Sequence, residues 1–202
     1  MKKGMILCLV FCILLFTACG GDKPEPTVSS NALPSASQIE SIQEEIEMLL
    51  TSAGIVDGVI DDQYGARSSQ QDNEMPTRSL PLTIENAPEG TVCYALRMLD
   101  PDSAPLCGFE WVHWTALNIE LAEIPENASI DLASSMIQGK SDFGVTGYGG
   151  PTPPDKPHTY VITVYALDAT IEAENGFEKG EFEELIAGHI LAEAQITGIY
   201  SN

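Results

Sequence analysis

The chain has 202 residues, and its 30 Asp and Glu against 9 Lys and Arg give a formal charge of −21. That balance excludes a broad basic face, and with it nucleic acid or an anionic lipid surface as a partner recognised through one. An apolar share of 44% over this length suits one soluble domain with a sizeable core beyond any leader.

Lys2 and Lys3 precede a continuous apolar run from Met5 to Phe16. The run is too short to cross a bilayer comfortably, and residues 1–18 have the form of a secretory signal peptide. Leu15-Phe16-Thr17-Ala18-Cys19 resembles a bacterial lipobox, which makes Cys19 the expected lipidation site. Phe16 and Thr17 depart from the small residues usual there, and an uncleaved anchor helix is the alternative. Either way the remainder is expected outside the cytoplasm, tethered to the bacterial membrane at its N-terminus. Residues 19–36 hold scarcely any large apolar side chain and read as a flexible tether.

Residues 37–54 read as an amphipathic helix. Ser37-Gln38-Ile39-Glu40 has the capping-box form, and Ile39, Ile42, Ile46, Leu49, Leu50 and Ala53 follow at helical spacing. Its acidic side is a solvated face or a docking surface for a protein partner. From residue 55 to 202, short apolar pieces such as Gly58 to Ile60 and Leu80 to Ile84 alternate with Gly, Pro, Asn and Asp. This punctuation predicts a mainly β domain. Val92 to Leu99 alternates as a strand, with Tyr94, Leu96 and Met98 on one face and Cys93, Ala95 and Arg97 on the other. Cys93 and Cys107 flank the excursion that follows, as a disulfide or as two free thiols.

The stretch Asp100 to Trp114, DPDSAPLCGFEWVHW, gathers acids, a histidine, tryptophans and prolines between two strands. Gly147 to Tyr160 adds a glycine-rich loop and His158, and the two stretches are expected to wall one small pocket. Imidazole N–H groups, a tyrosine hydroxyl and glycine-freed backbone amides could together hold a phosphate-type anion, more tightly as the histidines protonate. Asp100 would fix the tautomer of an imidazole, whereas Asp102 would hold the loop through backbone amides. His189 reads as packing a helix onto the core. The close ligand spacings of a metal site, H-x-x-x-H or C-x-x-C, are absent from the sequence, and neither metal nor cofactor is expected.

Further motifs run in one order: Ser79-Leu80-Pro81-Leu82, Ala87-Pro88-Glu89-Gly90-Thr91, Asp100-Pro101-Asp102, Trp111-x-His113-Trp114, Gly147-Tyr148-Gly149-Gly150-Pro151, Pro157-His158-x-Tyr160, Tyr165-Ala166-Leu167-Asp168 and Gly188-His189-Ile190-Leu191-Ala192. Together they resemble the phosphatidylethanolamine-binding protein family, in its bacterial Raf kinase inhibitor-like branch. The resemblance implies a mainly β fold of two antiparallel sheets with peripheral helices, to which helix 37–54 would be an addition. It also implies a small anion pocket lined by Asp100, His113, Gly149, Gly150, Pro151, His158 and Tyr160 with Trp111 beside it, and a cis peptide at Phe109-Glu110. The sequence reads DPDSAP where the family commonly has DPDAP, one residue longer, so the shape of the pocket mouth differs. The implied function is a binding or modulatory module for a small anionic ligand, phosphate or a phospho-headgroup. Two alternatives stay open: a hydrolase or other enzyme using Asp100 and His113, and an interaction module whose pocket is vestigial.

Overall fold

The computed structural model describes residues 47–201. The strands begin with β1 (Leu49–Thr51), β2 (Ile55–Val56), β3 (Val59–Ile60), β4 (Gln71–Asp72), β5 (Met75–Pro76) and β6 (Leu82–Glu85). They continue with β7 (Cys93–Asp100), β8 (Trp111–Ile119), β9 (Glu123–Ile124), β10 (Ile137–Gln138), β11 (His158–Leu167) and β12 (Ile190–Tyr200). Three short helices intervene: α1 (Ala104–Cys107), α2 (Ala128–Asp131) and α3 (Phe182–Ile186).

The large sheet has the order β10-β8-β7-β11-β12-β3-β2, a three-stranded sheet runs β1-β6-β9, and β4 and β5 form a separate ribbon. Pairing is antiparallel except where β12 meets β3 at Ile199 and Val59. The central strands β7, β8 and β11 carry apolar side chains on both faces and are largely covered, whereas β12 is mostly exposed. Tyr94, Leu96 and Met98 of β7 join Trp114, Tyr160, Ile162 and the small-sheet residues Leu50, Leu82, Ile84 and Ile124 in one core. Cys93 and Ala95 point the other way, into a second core closed by Phe177, Phe182 and Ile186. The alternation read from the sequence is therefore a division between two cores.

Residues 37–46 of the expected N-terminal helix lie outside the described residues. Its C-terminal end is corrected: Leu49–Thr51 is a strand, paired with β6 through Leu50 and Ile84. A strand buries every second residue, so Leu50 is 2% exposed while Leu49 stays 47% exposed. The helical spacing of leucines fitted this alternation equally well, and the open edge of β6 decided between them. Among the described residues no peptide bond is cis, so Phe109-Glu110 has the ordinary trans geometry and not the implied cis one. His189 follows α3 instead of packing it, with its side chain half-exposed and its Nδ1 bonded to Asp168 Oδ1 at 2.9 Å.

The β1 assignment generates a test. Leu50→Ala should cost about 2–5 kcal/mol by urea unfolding, as a large-to-small change in a packed core. Leu49→Ala should stay within about 0.5 kcal/mol. Equal losses at both positions would contradict the strand.

Candidate functional site

The site lies at one end of the large sheet, where β7 finishes and β8 and β11 begin. Register brings the pieces together: Asp100 pairs with Trp111 across β7 and β8, and Leu99 pairs with Val161 of β11, next to Tyr160. After Asp100 the chain makes a 3-10 turn at Pro101–Ser103 and then α1, which ends at Gly108 with φ 89°. Only glycine takes that left-handed conformation without strain, and it turns the chain back into β8. Asp102 closes the excursion from outside, its Oδ2 accepting from the Thr159 amide at 2.8 Å and its Oδ1 standing 3.4 Å from Lys156 Nζ. The Thr159 amide is the main influence holding its carboxyl below the usual range. The expectation for Asp102 is met.

A cavity of about 240 Å³ opens there, lined by Asp100, Ser103, Leu106, Cys107, Trp111, His113, Phe143, Thr152, Pro154 and Tyr160. Four of the expected site residues, Asp100, Trp111, His113 and Tyr160, thus share one cavity. Tyr160 is buried, and its hydroxyl is approached by the Thr152 backbone without a hydrogen bond of full geometry, while Asp100 Oδ1 and Trp111 Nε1 are buried without a protein partner. Buried polar atoms are nearly always hydrogen-bonded, and three of the four orphans among the described residues, the fourth being Thr115 Oγ1, belong to side chains that line this cavity. Burial first, and then the Asp100 charge, push the Tyr160 hydroxyl far up, so it stays a neutral phenol able to donate.

The other four expected residues stand behind the wall. The Gly149 amide donates to the His113 carbonyl at 2.9 Å and the Gly150 amide to the Pro76 carbonyl at 2.8 Å, so neither is free to hold an anion. Their glycines serve close packing: a Cβ on Gly149 would stand 2.3 Å from the Phe143 ring, and one on Gly150 2.3 Å from the Tyr64 carbonyl oxygen. Pro151 is buried, its carbonyl taken by the Ala66 amide, and the loop reaches the cavity only at Thr152 and Pro154.

The two histidines have different partners. Asp100 does not orient His113; its Oδ2 accepts from His158 Nδ1 at 2.7 Å and from Ser103 Oγ at 2.6 Å. The opposite nitrogen of His158, Nε2, meets Asp155 Oδ1 at 2.9 Å. With a carboxylate at each nitrogen, both carry protons. Burial would lower the His158 pKa, but the two carboxylates outweigh it and the net shift is upward. His158 is therefore a buried imidazolium strut behind Asp100, absent from the cavity wall.

His113 takes the contrasting state. Its Nδ1 lies 2.6 Å from the Gly149 carbonyl, which can only accept, so Nδ1 holds the proton. Burial lowers its pKa to about 4, against a smaller upward pull from that carbonyl and from Asp100 and Asp142. At neutral pH its Nε2 is then a bare lone pair. The Asp100–His113 acid–base pair that an enzyme reading relied on is not formed.

Sequence reasoning missed Ser103, Leu106, Cys107, Phe143, Thr152 and Pro154. Ser103 had a signal, because DPDSAP places a hydroxyl three residues after Asp100 on a tight turn. Phe143 had none: it stacks edge-on to Trp111 at 5.5 Å and to His113 at 5.6 Å from a separate loop. The two cysteines are free thiols with different surroundings, Cys93 buried in the second core and Cys107 exposed at the cavity.

A large, mostly antiparallel sheet, a smaller antiparallel one and peripheral helices define a mainly β fold of a known kind. The sequence profile described as phosphatidylethanolamine-binding protein matches residues 51–201, and the chain belongs to that family. It is 42% identical over 134 residues to the uncharacterised protein YxkA of Bacillus subtilis, covering 60% of this chain and 80% of that one. The protein YbcL of Escherichia coli is 36% identical over 128 residues, covering 59% of this chain and 69% of YbcL. Among solved structures, the Chlamydia trachomatis homolog CT736 superposes with a TM-score of 0.67 at 30% identity, over 77% of this chain and 98% of that one. Crystalline E. coli YbcL matches with the same TM-score and identity, over 77% and 99%.

The divided histidines predict opposite pH effects on stability. The folded pKa of His113 lies below its unfolded value, so its stability contribution is whole above pH 6.5. It falls by about 3 kcal/mol as pH descends to about 4. His158, with its pKa raised, contributes fully below its unfolded value and loses that contribution as pH rises through the folded one. Urea unfolding at pH 7.5 and 4.5 should show a smaller acid loss in His113→Asn, whose amide can still donate to Gly149. An equal loss in wild type and variant would contradict the buried neutral imidazole.

Proposed function

We propose that this chain is a binding or modulatory protein whose cavity takes a small phosphate-type anion in singly protonated form. The observation that carries this reading is the orphaned set of Asp100 Oδ1, Trp111 Nε1 and Tyr160 OH around one cavity. Trp111 and Tyr160 offer donors to anionic oxygens. Asp100 Oδ1 and the bare Nε2 of His113 are acceptors and would repel a fully ionised phosphate. A P–OH group satisfies either of them, and a phosphorylated headgroup carrying an ammonium satisfies Asp100 in the same way.

Binding then strengthens as pH falls through about 6, where a phosphomonoester takes up its proton. The ligand titrates in that window, not the imidazole, because His113 remains neutral until about pH 4. Calorimetry with phosphoethanolamine should show this rise between pH 7.5 and 5.5. Tyr160→Phe removes a hydroxyl that makes no hydrogen bond of full geometry within the protein, so it should still fold yet bind about tenfold more weakly, as befits a lost hydrogen bond to a charged group. Undiminished binding in Tyr160→Phe would overturn the assignment.

The reading extends to location. Lys2-Lys3, the apolar run to Phe16 and Cys19 support export and anchoring through an N-terminal lipid, which would present the cavity outside the cytoplasm. The support comes from the leader sequence, and residues 1–46 lie outside the described structure. Cys19→Ala should move the chain from the membrane fraction to the soluble fraction in a bacterial host, with loss of lipid label. Retention of the label would refute Cys19 as the lipidated residue.

A further inference from the structure

Cys107 is the last residue of α1, exposed, and part of the wall of the same cavity as Asp100 and Tyr160. Its Sγ lies 3.2 Å from the carbonyl oxygens of both Ser103 and Phe109, which fix the thiol at the mouth. Cys93, the other cysteine of the described residues, is buried in the second core, so Cys107 has no disulfide partner within them. Beneath it lie polar atoms without a full hydrogen bond. Asp100 is 3% exposed with Oδ1 unpartnered, and Tyr160 is fully buried with its hydroxyl in no hydrogen bond of full geometry.

The charge at the cavity floor selects what could attach. Asp100 and Asp155 flank His158, so even with that imidazole charged the three groups keep a net negative charge, and Oδ1 of Asp100 is the oxygen left without a protein partner. Lys156 is paired with Asp102 and Lys179 with Asp142, so neither offsets that charge. A cavity of about 240 Å³ admits an arm of two methylenes and an ammonium, with the ammonium donating to Asp100. We propose that Cys107 is a covalent modification site for small cationic disulfides, and that the attached amine-bearing arm occupies the cavity and excludes its ligand.

The step balances without a further reagent. The Cys107 thiol releases its proton to solvent and the thiolate attacks one sulfur of the disulfide. A new S–S bond to Cys107 forms as the old one breaks, and the departing thiolate takes up a proton. An external thiol reverses the exchange. The occlusion half of this proposal rests on the phosphate reading above; the site and its charge preference do not.

The test treats the full-length chain with cystamine, bis(hydroxyethyl) disulfide or oxidised glutathione, following adducts by tryptic mass mapping against a free-cysteine peptide. Cys107 should be modified while Cys93 stays free. Cystamine should be favoured over the neutral disulfide by about tenfold more than on the peptide, with glutathione slowest. That preference should persist in about 0.5 M NaCl, where the general acidic field of the surface is screened. Asp100→Asn should bring the ratio to that of the peptide; if this variant does not fold, the wild-type ratio at high salt decides alone. The modified chain should lose phosphoethanolamine binding and regain it with dithiothreitol. A peptide-like ratio in wild type, equal modification of Cys93, or unchanged binding by a fully modified chain would overturn the proposal. Absence of binding by the unmodified chain would refute the phosphate reading alone, because adduct position and rate ratios are read without it.

Discussion

The site depends on one carboxylate held from behind. Ser103 and His158 both bond to Oδ2 of Asp100, which fixes the plane of the group and leaves Oδ1 without a protein partner. Burying a charge costs several kcal/mol unless it is paired, and the imidazolium of His158 supplies the pairing. Asp155 in turn keeps that imidazolium charged from a loop position half open to solvent. The strut runs from the surface, through the wall, to the cavity floor.

The second histidine shows how the same side chain serves an opposite purpose in the same site. His113 lies among Tyr160 and Phe143 rings, so burial strips its charge, and the Gly149 carbonyl chooses which nitrogen keeps the proton. Gly149 is thus a tautomer-setting residue. Its amide and carbonyl both bond to His113, and its missing side chain makes room for Phe143. The outcome is a cavity whose lining includes two donors, Trp111 and Tyr160, and two acceptors, Asp100 and His113. Under the proposed function a ligand would carry both kinds of group, a stricter requirement than negative charge.

Much of the architecture was legible because long strands repeat their signal. The alternation of Tyr94, Leu96 and Met98 against Cys93 and Ala95 carries through to two separate cores. β1 was not legible, since a three-residue strand offers one buried position, Leu50, and an isolated leucine pair also fits a helix. The cavity was half legible. Asp100, Trp111, His113 and Tyr160 gather there because strand register carries them, whereas sequence says of Gly149 and Gly150 only that something approaches their backbone. What approaches is an aromatic ring and a carbonyl. Partner choice was the part beyond reach: Asp100 is near both histidines in the fold, and hydrogen-bond geometry alone assigns it to His158.

The central claim is that the two imidazoles are in different protonation states, one a charged strut and one a neutral acceptor. Nitrogen-15 NMR of the histidine side chains at pH 7 addresses it most directly. His158 should show a doubly protonated ring, and His113 a neutral ring with the proton on Nδ1 and an unprotonated Nε2. A neutral His158, or a His113 bearing its proton on Nε2, would contradict it.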